Sequence, residues 1–175
     1  MRMVPALDAG PVILQAPTPI LDDETYGELQ LRLSELGALT LVEALTLVSL
    51  GQAHETEQDE SRVSFAPKVT RDDAKIDWTL EAVEVSQLIR AYDPKPGAFT
   101  TRDGIDVKVF GPRVAADTGK AARPGEVIAS TPELVVACGK GVMRISDVQP
   151  AGRSRMSAAD WARGRGIAPG DVLGA

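Results

Sequence analysis

One cysteine, Cys138, stands in 175 residues. That excludes an intrachain disulfide and a thiolate metal cluster. One histidine, His54, lies in the acidic run Gln52-Ala53-His54-Glu55-Thr56-Glu57. A lone imidazole among flexible carboxylates has no fixed ligand geometry, so no metal site is expected. Aromatics are scarce at 4%, and core or rim packing is the expected use of Trp78 and Trp161. No stretch of 18 apolar residues occurs, so no transmembrane helix is expected. Met1-Arg2-Met3-Val4-Pro5 lacks the apolar core of a secretory leader. A cytoplasmic location is the default expectation. What remains is 43% hydrophobic and 25% charged, a globular balance that excludes collagen-like, low-complexity and wholly disordered classes. The length suits one domain and is marginal for two.

Charge is unevenly spread. The net charge is −6, but residues 1–67 carry −8 and residues 68–175 carry +2. Within the second stretch, residues 139–165 hold Lys140, Arg144, Arg153, Arg155, Arg163 and Arg165 against Asp147 and Asp160. A local basic patch on an acidic chain points to an anionic partner such as nucleic acid. On charge alone, a solvated face is the blander alternative.

Residues 1–20 read as strand, turn, strand, with Leu7-Asp8-Ala9-Gly10-Pro11 as the turn and Val12-Ile13-Leu14-Gln15 as a β-rich run. Residues 25–50 read as one helix, or two joined near Gly37. Thr25 and Glu28 fit a capping box, Leu29, Leu33 and Leu36 lead an apolar face, and Gly51 stops it. That face needs a sheet or a second helix to cover it. Asp22, Asp23 and Glu24 suit a helix N-terminus. Residues 51–67 are polar and read as a linker. A helix is expected over 80–92, with Ala82, Val85, Ile89 and Tyr92 on one side and Asp93-Pro94 as the stop. Five short strands follow, over 98–101, 105–110, 126–129, 134–138 and 142–148. Asp103-Gly104 and Gly139-Lys140-Gly141 supply hairpin turns. This pattern fits a small open β-barrel of the OB type. Ser157 and Asp160 cap a short helix ending at Gly164.

Two sets of motifs narrow the reading. Leu7-Asp8-Ala9-Gly10-Pro11, then Pro19-Ile20 and a helix near Asp23-Glu24-Thr25, resemble the last part of a folate-dependent formyltransferase catalytic domain. Four further blocks run from Gln58 to Lys68, from Asp73 to Trp78, from Leu88 to Pro94 and from Gln149 to Ser157. In their order and spacing they resemble the C-terminal domain of the methionyl-tRNA formyltransferase family. Lys95 stands where the family usually carries an aromatic. The resemblance implies an α+β chain. Residues 1–50 would be the remnant of an α/β Rossmann-like formyltransferase domain, residues 51–67 a linker, and residues 68–175 an OB-like open barrel with a helix before it.

The implied activity is formyl transfer from the co-substrate 10-formyltetrahydrofolate to the amino group of methionine on initiator tRNA, in translation initiation. The amine attacks the formyl carbon, and the oxyanion that forms needs donors. In the family an Asn and a His serve there, within an Asn-x-His…Ser-Leu-Leu-Pro segment that this sequence does not contain. The third catalytic residue, an Asp that orients the His and helps move protons, corresponds to Asp8. The chain is thus expected to be an N-terminally truncated enzyme, inactive alone, with no certain folate-binding residue and no metal. A stand-alone OB-type RNA-binding module derived from that enzyme is the alternative. An enzyme acting on a nucleotide sugar or purine precursor fits the Gln149-Pro150-Ala151-Gly152-Arg153 block less well. The tRNA contacts implied are Lys140, Arg144, Arg153, Arg155, Arg163 and Arg165, with Lys68 and Arg71 as weaker candidates. No membrane or DNA partner is expected, and the intact enzyme is expected to be a monomer.

Overall fold

The computed structural model describes residues 1–115 and 122–174. Residues 116–121 and 175, inside the expected 68–175 domain, lie outside the described residues. The chain divides into two compact units. One comprises Met1–Asp22 and Glu28–Lys68, the other Asp23–Gly27 and Val69–Ala175.

Helix α1 runs unbroken over Tyr26–Ser49, through Gly37, and belongs to the first unit from Glu28 onward. Its end is a hydrogen-bonded reversal. The Gln52 N–H donates to Leu47 O at 2.9 Å and the Gly51 N–H to Val48 O at 3.1 Å. Gly51 sits at φ +67°, the left-handed position where glycine has no Cβ penalty. The expected strand at 12–15 shrinks to one pair. The Val12 N–H donates to Thr56 O at 2.8 Å, and the Thr56 N–H returns to Val12 O at 2.9 Å. Pro11, Pro17 and Pro19 lack the N–H that a ladder extending beyond 12–15 would use. Residues 51–67, polar as they are, carry Thr56 of that pair. They also carry Glu55, whose carboxylate accepts from Arg2 Nε at 2.8 Å.

The second unit is a mixed helix-and-sheet structure. Helix α2, Ala82–Tyr92, starts in a reciprocal cap between Glu81 and Glu84 and buries Ala82, Val85, Ser86 and Ile89. The strands are β1 Phe99–Arg102, β2 Ile105–Ala115, β3 Val127–Ala129, β4 Leu134–Ala137, β5 Val142–Pro150 and β6 Met156–Ser157. All pairs are antiparallel, in the order β1-β2-β5-β4-β3 with β6 on β5. The result is a curled antiparallel half-barrel. The β1–β2 turn has positive φ at Asp103 (50°) and Gly104 (74°), which matches the twist of the flanking strands. β2 runs five residues past the expected end at Phe110, through Gly111-Pro112. β1 pairs only as far as Lys108, so Pro112 lies where β2 has one neighbour, and its missing N–H interrupts no second ladder.

Ile89, Val109, Leu134, Val136, Met143, Ile145 and Val148 are buried between sheet and helices. Trp78 joins them, its Nε1–H donating to Thr100 Oγ1 at 2.9 Å. Helix α3, Ala158–Arg163, is capped by Ser157, whose side chain accepts from the Asp160 N–H. The final segment then ties both sheet edges together. On β3, the Val127 N–H donates to Asp171 O at 2.9 Å, and the Leu173 N–H donates to Gly125 O at 2.8 Å. On β1, the Gly174 N–H donates to Thr101 O at 2.8 Å and Arg102 pairs with Asp171 at 3.0 Å. Edge strands that would otherwise offer free backbone groups are thereby occupied.

Candidate nucleic-acid interface

Asp8 sits in the first unit with Lys68, and the other basic candidates sit in the second. Asp8 is exposed and itself adopts the left-handed conformation, φ 53°. Gly10 serves its turn otherwise than by a bend. A Cβ there would lie 1.8 Å from Arg2 O, so only glycine allows the Arg2 N–H to donate to Pro11 O at 2.9 Å. Gln58 clamps the loop, its Nε2 donating to Asp8 O at 2.8 Å and Gly10 O at 2.7 Å. The backbone around Asp8 is therefore held while its carboxylate is left to solvent.

The basic residues separate by what they touch. Arg155 is committed. It lies 3.0 Å from Asp147 and 3.6 Å from Asp93, a carboxylate 10% exposed, and its guanidinium sits 4.2 Å from the Phe110 ring centre. Arg71 pairs with Asp106 and stacks 4.5 Å from the Phe99 ring centre. Lys140 pairs with Glu81 at 3.0 Å and Arg144 with Glu133 at 3.5 Å. Arg163 pairs with Asp160 one turn back on α3. The Ser157 hydroxyl, ahead of that Arg163 charge, holds Asp160 below the usual carboxylate range. Arg153 and Arg165 carry no ion pair among the described residues, and both line one cleft with Arg102. Lys68 belongs to the first unit and is exposed.

Sequence reasoning grouped the six residues of 139–165 as one patch. Only the Arg163–Asp160 pair, three residues apart on α3, is readable from spacing; the partners of Lys140, Arg144 and Arg155 lie on other elements. Arg102 was missed altogether. It sits at the end of a short strand, and nothing in Thr100-Thr101-Arg102 marks a site.

Burial pushes the Cys138 thiol up to about 11, so it stays protonated and unreactive at neutral pH. Among the described residues no three His, Cys, Asp or Glu side chains converge on a metal position. Among them, too, no helix is long and apolar enough to cross a membrane.

Residues 68–166 match the family described as formyl transferase, C-terminal domain. The chain is similar to "Methionyl-tRNA formyltransferase" of Methylococcus capsulatus, 40% identical over 168 residues, covering 96% of this chain and 54% of that protein. The protein of the same name from Jannaschia sp. is 41% identical over 173 residues, covering 99% of this chain and 55% of that protein. The chain thus spans about half the length of the curated relatives it matches. Among solved structures, HypX from Aquifex aeolicus in complex with tetrahydrofolic acid shares the fold. Its TM-score is 0.70 at 21% identity, over 90% of this chain and 28% of that one. With more than half its residues inside the matched domain and that domain's fold present, the chain belongs to the formyl transferase C-terminal domain family.

Proposed function

We propose that this chain supplies the tRNA-binding part of a methionyl-tRNA formyltransferase. The reaction is transfer of the formyl group of 10-formyltetrahydrofolate to the amino group of methionyl initiator tRNA. The observation that carries this reading is about 40% identity to proteins of that name over nearly the whole chain. The tetrahydrofolic acid bound to the structural neighbour supports folate as the co-substrate.

Residues 1–50 are read as the end of a Rossmann-like catalytic domain, 51–67 as a linker and 68–175 as an OB-like barrel. Asp8 is the carboxylate that would orient a histidine and relay a proton. Its exposure and its clamped backbone suit a side chain that must meet a partner outside these residues. The oxyanion that forms on attack at the formyl carbon needs preorganised donors. The sequence contains no asparagine, and its one histidine is His54. Alone, therefore, the chain binds tRNA and does not formylate it. The phosphate contacts are drawn from Arg153, Arg165, Lys140, Arg144, Arg155, Arg163, Lys68 and Arg71. The two unpaired arginines come first, since they need not break an ion pair to reach a phosphate. A soluble, cytoplasmic setting follows from a role on tRNA.

The test is formylation of methionyl-tRNA with purified chain and excess folate donor, beside a tRNA titration. Saturable tRNA binding with turnover no greater than a protein-free control is expected. Turnover above that control overturns the claim of inactivity, and absence of tRNA binding overturns the binding role.

A further inference from the structure

We propose that the cleft holding Arg153 and Arg165 seats a single unstacked nucleotide, its phosphate on the two guanidinium groups and its base on the apolar floor. The inference rests on the RNA-binding reading above and names the unit of RNA that this site takes. The cleft has a volume of about 450 Å³, within the range of small-ligand sites and roomy for one nucleotide. Ile105, Val107, Pro150, Met156 and Trp161 line it, and so do Asp103 and Asp160, which pair with Arg102 and Arg163. Its walls are the β1–β2 turn, the 150–153 turn and the end of α3.

Three features separate this cleft from a solvated surface. First, charge: Arg153 and Arg165 have no carboxylate partner among the described residues, whereas Arg155, Arg163, Lys140, Arg144 and Arg71 each have one. An unpaired guanidinium offers its planar donors to a phosphate without first giving up an ion pair. Second, chemistry: a site that took phosphate alone would have no use for the exposed Ile105 beside it, and a flat base covers such a surface.

Third, backbone. α3 ends in the same reversal as α1. The Gly166 N–H donates to Trp161 O at 2.8 Å and the Arg165 N–H to Ala162 O at 2.9 Å. In α1 the left-handed position of this motif is Gly51, at φ +67°, and in α3 it is Arg165, at φ +59°. Glycine adopts that conformation freely and a residue with a Cβ does not. Gly166 is glycine for a separate reason, since a Cβ there would lie 2.0 Å from the Trp161 ring. The chain thus places a long cation where a glycine would be easier, and the strained position aims that cation from the cleft rim.

The backbone also supplies a clean test. Arg165→Gly removes the guanidinium and relieves the strained position, so the variant folds at least as well as the parent. Arg153→Ala spares the turn, whose bond is the Arg153 N–H to Pro150 O at 3.0 Å. The probes are adenosine 5′-monophosphate, adenosine and inorganic phosphate, titrated into the full chain while the Trp161 indole resonance is followed. Adenosine 5′-monophosphate is expected to bind more tightly than either fragment and to shift Trp161. Arg165→Gly should weaken that binding about tenfold with no fall in melting temperature.

Failure of the nucleotide to bind overturns the proposal. So does equal binding by inorganic phosphate, which would leave the floor unused. The same variants in a tRNA titration separate the two readings. If tRNA binds and Arg165→Gly changes nothing, the nucleotide site falls and the tRNA role stands. If the mononucleotide binds through Arg165 while tRNA does not bind, the cleft stands and the tRNA role falls.

Discussion

The two long helices of this chain use their residues in opposite ways. α1 has 24 residues and buries none of them fully. α2 has 11 and buries four, with Ile89 entirely inaccessible. α1 is apolar on nearly every side. Leu33 and Leu36 line a groove with Leu14 and Ala16, while Leu31, Leu39, Val42 and Leu45 face solvent, each at least 60% exposed. A helix that is hydrophobic all round belongs in an interior. α2 has one apolar stripe and a polar back, and its stripe is filled. The first unit is therefore written for a core it does not contain. The second closes its own, down to the 170–174 segment that ties β1 to β3.

The sharpest test of this contrast is truncation of a leucine in each unit. Leu134→Ala, at a fully buried position, should cost about 2–5 kcal/mol in a denaturant titration. Leu39→Ala, 71% exposed on α1, should fall within about 0.5 kcal/mol of the parent. A large loss at Leu39 would mean that α1 is already covered. The exposed leucines should also draw copies together. Replacing Leu31, Leu39 and Leu45 by Gln should lower the sedimentation-average mass if the parent self-associates.

A smaller effect separates two neighbouring arginines. Arg155 neutralises Asp93 and Asp147 and covers Phe110, so Arg155→Ala should lose about 1–3 kcal/mol of stability. Arg153→Ala should lose almost none and should instead weaken RNA binding. The reverse pattern would exchange their roles. Smallest is the acid response. Thr70, through its backbone N–H and then its hydroxyl, holds Asp73 below the usual carboxylate range, and the Thr79 hydroxyl and N–H do so for Asp77. Stability from such groups is full above the unfolded value of 3.8. It is lost as the pH falls through the lowered folded values. Both carboxylates are exposed, so the melting temperature should drop only slightly more in the parent than in Asp77→Asn as the pH falls below about 4.

How legible this was in the sequence differs by element. The Ser157 cap and the Asp103-Gly104 turn are local chemistry, and each formed as local rules direct; α3 stops at Gly164 as expected, but the left-handed residue of its reversal is Arg165. The 12–15 strand shrank to the Val12–Thr56 pair because ladder length depends on the segment opposite, which the strand's own sequence does not show. The 170–174 tie was invisible, since backbone bonds between distant edges leave no side-chain pattern. Most important for function, six basic residues in one run looked equivalent. Asp93, Asp147, Glu81 and Glu133 sort them, and those partners lie on α2, the sheet and their turns. Only the fold leaves Arg153 and Arg165 free together.

The central claim is that this chain binds tRNA through those free arginines in the second unit. It is tested most directly by tRNA affinity as a function of salt, in the parent and in Arg153→Ala/Arg165→Gly. Each phosphate contact contributes roughly −0.7 to −0.9 to the log–log slope. With three or four contacts the parent slope should be about −2 to −4, and the double variant should bind more weakly with a slope flatter by about 1.5. An unchanged affinity and an unchanged slope in a folded double variant would contradict the account.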